Sequence, residues 1–343
     1  MRNLLNTLYV TTENAYLSLN RENVVVNVED KEIARFPLHN LQSIISFAYP
    51  GASPALMGAC VEKGINLAFC SRNGRFLSRC IGVTNGNVYL RREQYRIADD
   101  ETRRVLISKN MIFGKVYNSR WVLERTIRDH GLRIDKAKFD NVSFLLKENL
   151  NNIINVKNSD ELRGYEGLCA TSYFSCFDDM ILRDKTEFKY ISRNRRPPLD
   201  KVNAMLSFAY SLLTNECTSA LESVGLDSYV GFMHVDRPGR KSLSLDMVEE
   251  LRPCIADRFV LSAINNRIIT KDDFDETETG ATYLNEKGRK IFLKKWQDRK
   301  NEKIIHPYLK EKIPWGLVPY VQALLLNRYI RGDIDEYPPF LWK

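Results

Sequence analysis

From Arg91 to His130 the chain reads RREQYRIADD ETRRVLISKN MIFGKVYNSR WVLERTIRDH, and the texture of the sequence changes within this stretch. Val105, Ile107, Met111, Ile112, Val116, Trp121, Val122 and Ile127 recur at the spacing of one helix face. The spacing predicts a helix from about Asp99 to His130, stopped by Gly131. Beyond it nearly every segment carries the same period: residues 142–151, 160–180, 198–224, 245–266, 285–301 and 315–331.

Ahead of it the period is two. Residues 7–11 and 15–19 flank a turn at Glu13-Asn14, and residues 23–28 are rich in β-branched side chains and precede the turn residues Glu29-Asp30. Residues 33–37, 41–47, 65–70 and 75–81 continue the series, with Asn73-Gly74 predicted as a hairpin turn. Asn85-Gly86 reads as a further turn before a short strand at Val88-Tyr89-Leu90. One helix interrupts the strands, with Ser53 as cap, Pro54 at its first position, and Leu56, Ala59 and Cys60 leading to Gly64. The expected fold is therefore multidomain α+β: a β-sandwich-like N-terminal domain with one small helix, then an all-α C-terminal domain. The division falls near residues 91–98, giving units of 1–95 and 96–343.

Bulk composition excludes several classes. The 343 residues are 44% hydrophobic and 27% charged, near the globular average, so wholesale disorder is not expected. Seven scattered cysteines, an odd number, in a chain this large suggest a reduced, cytoplasmic protein with no membrane span. The formal charge is +8, which permits nucleic-acid binding without requiring it. Bulk charge does not locate a site, because the surplus is four on each side of residue 97.

Motifs narrow the chemistry by elimination. There is no CxxC, no HxxxH, no phosphate-binding glycine loop and no GxSxG elbow. The cysteines at 60, 70 and 80, and those at 169 and 176, sit in apolar contexts that suit packing. Three segments hold polar residues in apolar or glycine-rich settings. In the first, 163–174, Glu166, Ala170 and Tyr173 share a helix face, and Gly167 with Ala170 keeps that face low for a close backbone. In the second, 231–241, His234 lies between apolar residues and precedes a basic Asp-Arg-Pro-Gly-Arg-Lys turn. In the third, 244–253, Asp246, Glu249 and Glu250 fall at i, i+3 and i+4, with Ser244 as a candidate cap.

Each segment alone has an ordinary structural explanation: a glutamate near a helix N-terminus, a hydrogen-bonded histidine, an acidic first turn. Together, carboxylates and an imidazole match a hard divalent cation, which can polarise a phosphoryl oxygen and activate a hydroxyl. Arg193, Arg195, Arg196, Arg237, Arg240 and Lys241 surround these segments in sequence and suit a phosphodiester backbone. Three other features are weaker. Residues 286–303 form a basic helix that could track DNA or simply face solvent. The acidic run 272–276 is expected to be a loop rather than a metal site. The aromatic tail Tyr337-Pro338-Pro339-Phe340-Leu341-Trp342-Lys343 is expected to dock on this chain or on a partner.

At these residues the chain resembles the CRISPR adaptation integrase family, the metal-dependent nucleases that insert new spacers. The resemblance rests on Glu166-Gly167-x-x-Ala170-x-x-Tyr173-Phe174, on the Arg-Pro-Pro-x-Asp-x-Val-Asn-Ala-x-Leu-Ser stretch from Arg196 to Ser207, and on the glycine-preceded His234. It rests also on the helix ending in Leu251-Arg252-Pro253. It covers essentially the whole chain, and length and tail look most like the I-C subtype. It implies that Glu166, His234 and either Asp246 or Glu249 bind Mg²⁺ or Mn²⁺ and carry catalysis, with Glu250 a lesser candidate. It implies DNA contacts by Arg196, Arg237, Arg240 and Lys241. It implies a homodimer formed through the β domain, and a heterohexameric complex with a small ferredoxin-like adaptation protein. The implied reaction is attack by a 3′-hydroxyl of captured double-stranded DNA on a phosphodiester of the CRISPR repeat. Two other readings remain open on the residues alone: a non-catalytic DNA-binding scaffold, and a metal-dependent phosphodiesterase acting on another nucleic acid.

Overall fold

The structure, a computed structural model, describes residues 6–71, 76–82 and 88–343. The expected turns at Asn73-Gly74 and Asn85-Gly86 lie outside the described residues. Among the described residues, the N-terminal region has seven strands, one α-helix and a 3₁₀ turn at Leu38–Asn40: β1 (Thr7–Val10), β2 (Tyr16–Asn20), β3 (Asn23–Val28), β4 (Lys31–Pro37), β5 (Ser43–Ser46), α1 (Pro54–Glu62), β6 (Asn66–Cys70) and β7 (Phe76–Arg79). They form two sheets. One is the antiparallel meander β2-β3-β4; the other has the order β1-β5-β6-β7, in which β1, β5 and β6 run parallel and β7 is antiparallel. Glu13-Asn14 therefore does not close a hairpin: the turn passes the chain from one sheet to the other, because β1 takes β5 as its partner. The small helix forms as the sequence indicates, with Ser53 Oγ accepting from the Leu56 amide at 3.2 Å and Pro54 in its first turn.

Side-chain alternation gives the second sheet two buried faces. Ile44 and Leu67 join Val10, Leu17, Val24, Val26 and Leu56 in a core between the sheets. Ile45, Phe47 and Cys70 point the other way and belong to the helical core, where the Phe47 and Phe208 rings lie 6.1 Å apart. The strand-rich and helical regions thus share a packed boundary.

Val88-Tyr89-Leu90 is not a strand. It opens helix α2 (Val88–Asp99), because Leu90, Gln94 and Ile97 are buried at i, i+4 and i+7. The helical region continues with α3 (Glu101–His130), α4 (Lys136–Asn155), α5 (Ser159–Ser175), α6 (Lys201–Ser223), α7 (Ser242–Leu251), α8 (Arg258–Asn265), α9 (Glu286–Asn301) and α10 (Val318–Ile330). Asp100, Asn158 and Asp200 cap α3, α5 and α6 through side-chain oxygens. Two short antiparallel hairpins lie among the helices: β8 (Phe274–Glu276) with β9 (Thr282–Leu284), and β10 (Lys303–Ile305) with β11 (Lys312–Pro314). The acidic run expected to be a loop becomes a 3₁₀ turn capped by Thr270, followed by β8.

Between α7 and α8 the chain is π-helical over Arg252–Asp257. Pro253 has no amide to donate to the carbonyl of Glu249, and its ring displaces that carbonyl, so the regular ladder cannot pass through it. The widened turn buries Asp257, which accepts a 2.5 Å hydrogen bond from Tyr210 Oη.

The aromatic tail docks on its own chain. Tyr337 and Phe340 are buried. Asn118 on α3 donates to the carbonyls of Glu250 (2.7 Å) and Phe340 (2.8 Å) and accepts from the Trp342 amide at 2.9 Å. Gly114 makes room for this: a Cβ there would lie 3.1 Å from Glu250 Cβ and 3.2 Å from Pro339 Cβ.

Truncating Phe340 to Ala empties a fully buried site and is expected to cost about 3–5 kcal/mol in urea unfolding. A second outcome concerns pH. Burial pushes the Asp257 carboxyl up to about 6, against the opposing pull of Tyr210, Arg252, Tyr173 and Arg193. A carboxyl raised in the folded state contributes most below its unfolded pKa and loses that contribution as pH rises through the folded value. Unfolding measured between about pH 4 and about pH 7 should therefore show a decline of up to about 3 kcal/mol that Asp257→Asn lacks.

Candidate metal centre

Four segments meet at the middle of the helical region. Helix α5 carries Glu166, α7 carries Asp246 and Glu249, the loop between α6 and α7 carries His234, and α3 carries Lys115. The residues singled out from sequence divide into two pairs with different partners.

The first pair is His234 with Asp246. The Asp246 side chain is fully buried. Its Oδ2 accepts the amides of Phe232 (2.6 Å) and Met233 (3.1 Å), and its Oδ1 accepts the amide of His234 (3.0 Å). His234 Nδ1 lies 2.6 Å from the same Oδ1. A carboxylate only accepts, so Nδ1 carries the ring proton and Nε2 keeps the lone pair. Gly231 permits this wrapping: a Cβ there would fall 2.8 Å from both Asp246 Oδ2 and Ser242 Cβ. Asp246 is thereby consumed in shaping the loop and orienting the imidazole.

The second pair is Glu166 with Glu249, and what joins them is Lys115. The ammonium is hydrogen-bonded to Glu166 Oε1 and lies 2.7 Å from Glu249 Oε2. The other Glu249 oxygen accepts from Arg252 Nη2 at 2.9 Å. The Arg252 guanidinium stacks over the Tyr210 ring at 4.7 Å. Burial alone would push the Glu249 carboxyl up. Arg252 and Lys115 outweigh it and hold the group at about 2, so it is ionised at any working pH.

The third acid of α7 goes elsewhere. Glu250 turns toward the docked tail, where Tyr337 Oη and Gln322 Nε2 donate to Oε1 and the Phe340 amide donates to Oε2. Burial pushes its carboxyl up to about 7. Ser244 does not cap α7. It lies inside the helix, joined to Thr218 at 2.9 Å, and the helix starts at Ser242, so Asp246 and Glu249 are not a first-turn acidic cluster. Gly167 does not serve a close backbone contact, because a Cβ there would meet nothing within 4 Å.

Among the described residues, no three His, Cys, Asp or Glu side chains stand close enough to ligate one ion together. Glu166 and Glu249 are instead bridged by the Lys115 ammonium. The donor set still suits a hard divalent cation. Two carboxylate oxygens from different helices already gather around one positive charge. Buried Glu249 Oε2 takes no well-aligned hydrogen bond. His234 contributes the ring nitrogen that Asp246 does not hold.

The basic residues separate by burial. Arg196 and Arg237 are exposed, and Arg240 is half-buried beside the turn made by Gly239 at a φ of 74°. Lys241 is placed differently from the expectation. Its ammonium packs over the Phe76 ring at 3.6 Å, and burial with Arg79 nearby pushes it down to about 8. Arg193 is engaged internally with Asn203 and Ser207. Lys115 was not legible as a site residue, and Arg252 was legible only as part of the Leu251-Arg252-Pro253 motif. The signal for Lys115 is its position four residues after Met111, on the face of α3 that the apolar pattern marks as buried.

The sequence pattern described as CRISPR associated protein Cas1 matches residues 8–298. A CRISPR-associated endonuclease Cas1 of Chlorobaculum tepidum is 45% identical over 343 residues, covering the whole of both chains. A casposase bound to an integration product shares the fold, with a TM-score of 0.84 at 22% identity over 99% of this chain and 95% of its own. A Cas6-RT-Cas1–Cas2 complex has a chain that superposes with a TM-score of 0.82 at 20% identity, over 100% of this chain and 36% of that one. With a match of this length and identity, and with a strand-rich N-terminal region followed by a helical one, the chain belongs to the CRISPR associated protein Cas1 family, the integrases and endonucleases of CRISPR adaptation.

Proposed function

We propose that this protein joins captured double-stranded DNA into a CRISPR repeat at a Mg²⁺ or Mn²⁺ centre held by Glu166, His234 and Glu249. The observation that carries the reading is the convergence of Glu166 and Glu249 on a single cation beside an imidazole whose tautomer Asp246 sets. Of the two acids left open by sequence, Glu249 is the ligand and Asp246 the positioning residue, because every oxygen direction of Asp246 is already occupied. Bound there, a divalent ion would neutralise charge building on the phosphoryl and leaving oxygens as a 3′-hydroxyl attacks. Glu249, ionised through its pairing with Arg252, presents a full negative charge to that position. His234 would offer Nε2, the ring nitrogen that Asp246 does not hold. Arg196, Arg237 and Arg240 supply sequence-independent contacts to the DNA backbone. The same geometry with water as nucleophile gives endonuclease cleavage.

The assignment of regions follows the same reading. Residues 96–343 carry the chemistry, and residues 1–95 carry dimerisation, supported by a groove lined by Phe47, Tyr49, Met57, Phe69 and Leu77 in which Tyr49 is fully exposed. The complex would include a small ferredoxin-like partner of the Cas2 kind. The setting is the reduced cytoplasm, in keeping with free cysteines at all seven positions. No helix among the described residues is long and apolar enough to cross a membrane.

Strand transfer of a labelled 3′-hydroxyl DNA into a repeat-containing plasmid tests the core of this reading. Glu166→Ala, His234→Ala and Glu249→Gln should each abolish it, and persistence of joining in any of them would refute the assignment. Asp246→Asn should weaken Mn²⁺ affinity by about 10–100-fold, the cost of losing an orienting partner. Replacing Arg237 and Arg240 with Ala should lower the salt dependence of DNA binding by about one unit of slope each, with no preference among sequences.

A further inference from the structure

Lys115 is the one participant in the centre that neither the motif residues nor their chemistry required. Its side chain is 6% exposed, and an ammonium withdrawn from water to that degree needs compensating charge. It finds two carboxylates, one on α5 and one on α7, and touches both at the edge where they approach each other. The position of α3 that bears it is set independently. The neighbouring residue is Gly114, packed against Glu250 and Pro339, and Asn118 one turn on is tied to the carbonyls of Glu250 and Phe340. The ammonium is therefore delivered to the carboxylates by a rigid helix pinned against α7.

We propose that Lys115 is a built-in counter-cation of the metal site: its ammonium holds Glu166 and Glu249 at a common point and is exchanged for the divalent ion when that ion binds. The inference rests on the metal-centre reading above. Without a cation between them, two ionised carboxylates at this range would repel and splay, so the ammonium keeps the empty centre assembled. A divalent ion and an ammonium cannot both take the same two oxygens. Binding therefore costs the two Lys115 contacts, and the apparent affinity for metal is lowered by that competition. Linkage makes the effect reciprocal: whatever weakens the lysine contacts strengthens metal binding.

The test uses the full chain, stripped of metal, with Mn²⁺ alone as the probe. Lys115→Met keeps length and apolar stem but removes the charge. Its Mn²⁺ dissociation constant, measured by calorimetry and by the electron paramagnetic resonance signal of free Mn²⁺, should tighten at least tenfold. Its melting temperature in chelator should fall, and saturating Mn²⁺ should raise it more than in the wild type. Lys115→Arg keeps the charge and should bind no more tightly than the wild type. If Lys115→Met does not fold in chelator, Lys115→Gln takes its place. In the wild-type protein, acetylation at Lys115 read by mass spectrometry should rise when Mn²⁺ is added. Unchanged or weaker Mn²⁺ binding in the neutral variants, or unchanged labelling of the wild type, would overturn the exchange while leaving the metal centre standing. Absence of Mn²⁺ binding in both wild type and variants would overturn the centre and the exchange together.

Discussion

Helix α7 buries three carboxyl groups within five residues, and the rest of the molecule is arranged around satisfying them. A carboxylate taken out of water must be paired, hydrogen-bonded or neutralised. No two of the three are satisfied in the same way. Asp246 is closed over by the backbone of the His234 loop. Glu249 is paired with Lys115 from α3 and with Arg252 at the end of its own helix. Glu250 is enclosed by Gln322 of α10 and by the tail. Each solution recruits a different part of the chain, so packing of α7 draws α3, α10, the loop and the terminus to one place.

Adjacent residues show how far environment outweighs residue type. Glu249 is held at about 2 and Glu250 is pushed up to about 7, although both are buried glutamates on the same helix. Cations face the first, whereas only neutral donors face the second. The first is therefore a charged group, and the second behaves as a polar joint that fastens the tail. Arg252, at the start of the π-helical turn, pairs with Glu249 three residues back and lays its guanidinium on Tyr210.

Much of this is legible in the order of the residues. The change from period two to period 3.6 locates the passage from strands to helices, and Ser53-Pro54 marks the one helix expected among the strands. Glu166, His234, Asp246 and Glu249 stand out because polar groups in apolar contexts are costly enough to need a reason. Where the sequence misleads, the causes are physical. Glu13-Asn14 suits a turn, but local chemistry does not say whether the next strand pairs across it or crosses to another sheet. Val88-Tyr89-Leu90 is too short for its period to show without Gln94, a polar residue that is buried because it bonds the carbonyls of Asp227 and Val230. Lys241 reads as part of a basic loop, yet its ammonium rests on an aromatic ring of the strand region.

What the sequence by itself determined is the order of a strand-rich region and a helical one, the capped helix among the strands, and the polar residues whose apolar settings need a reason, because periodicity, capping and the cost of burying charge are local properties. That Asp246 is enclosed by the His234 loop while Glu249 pairs with Arg252, and that a lysine from α3 stands between the acids of α5 and α7, only the tertiary structure decided. Two groups on one helix face are equivalent until other segments close around them. The loop behind Gly231 claims Asp246, and α3, fixed through Gly114 and Asn118, delivers a cation to Glu249.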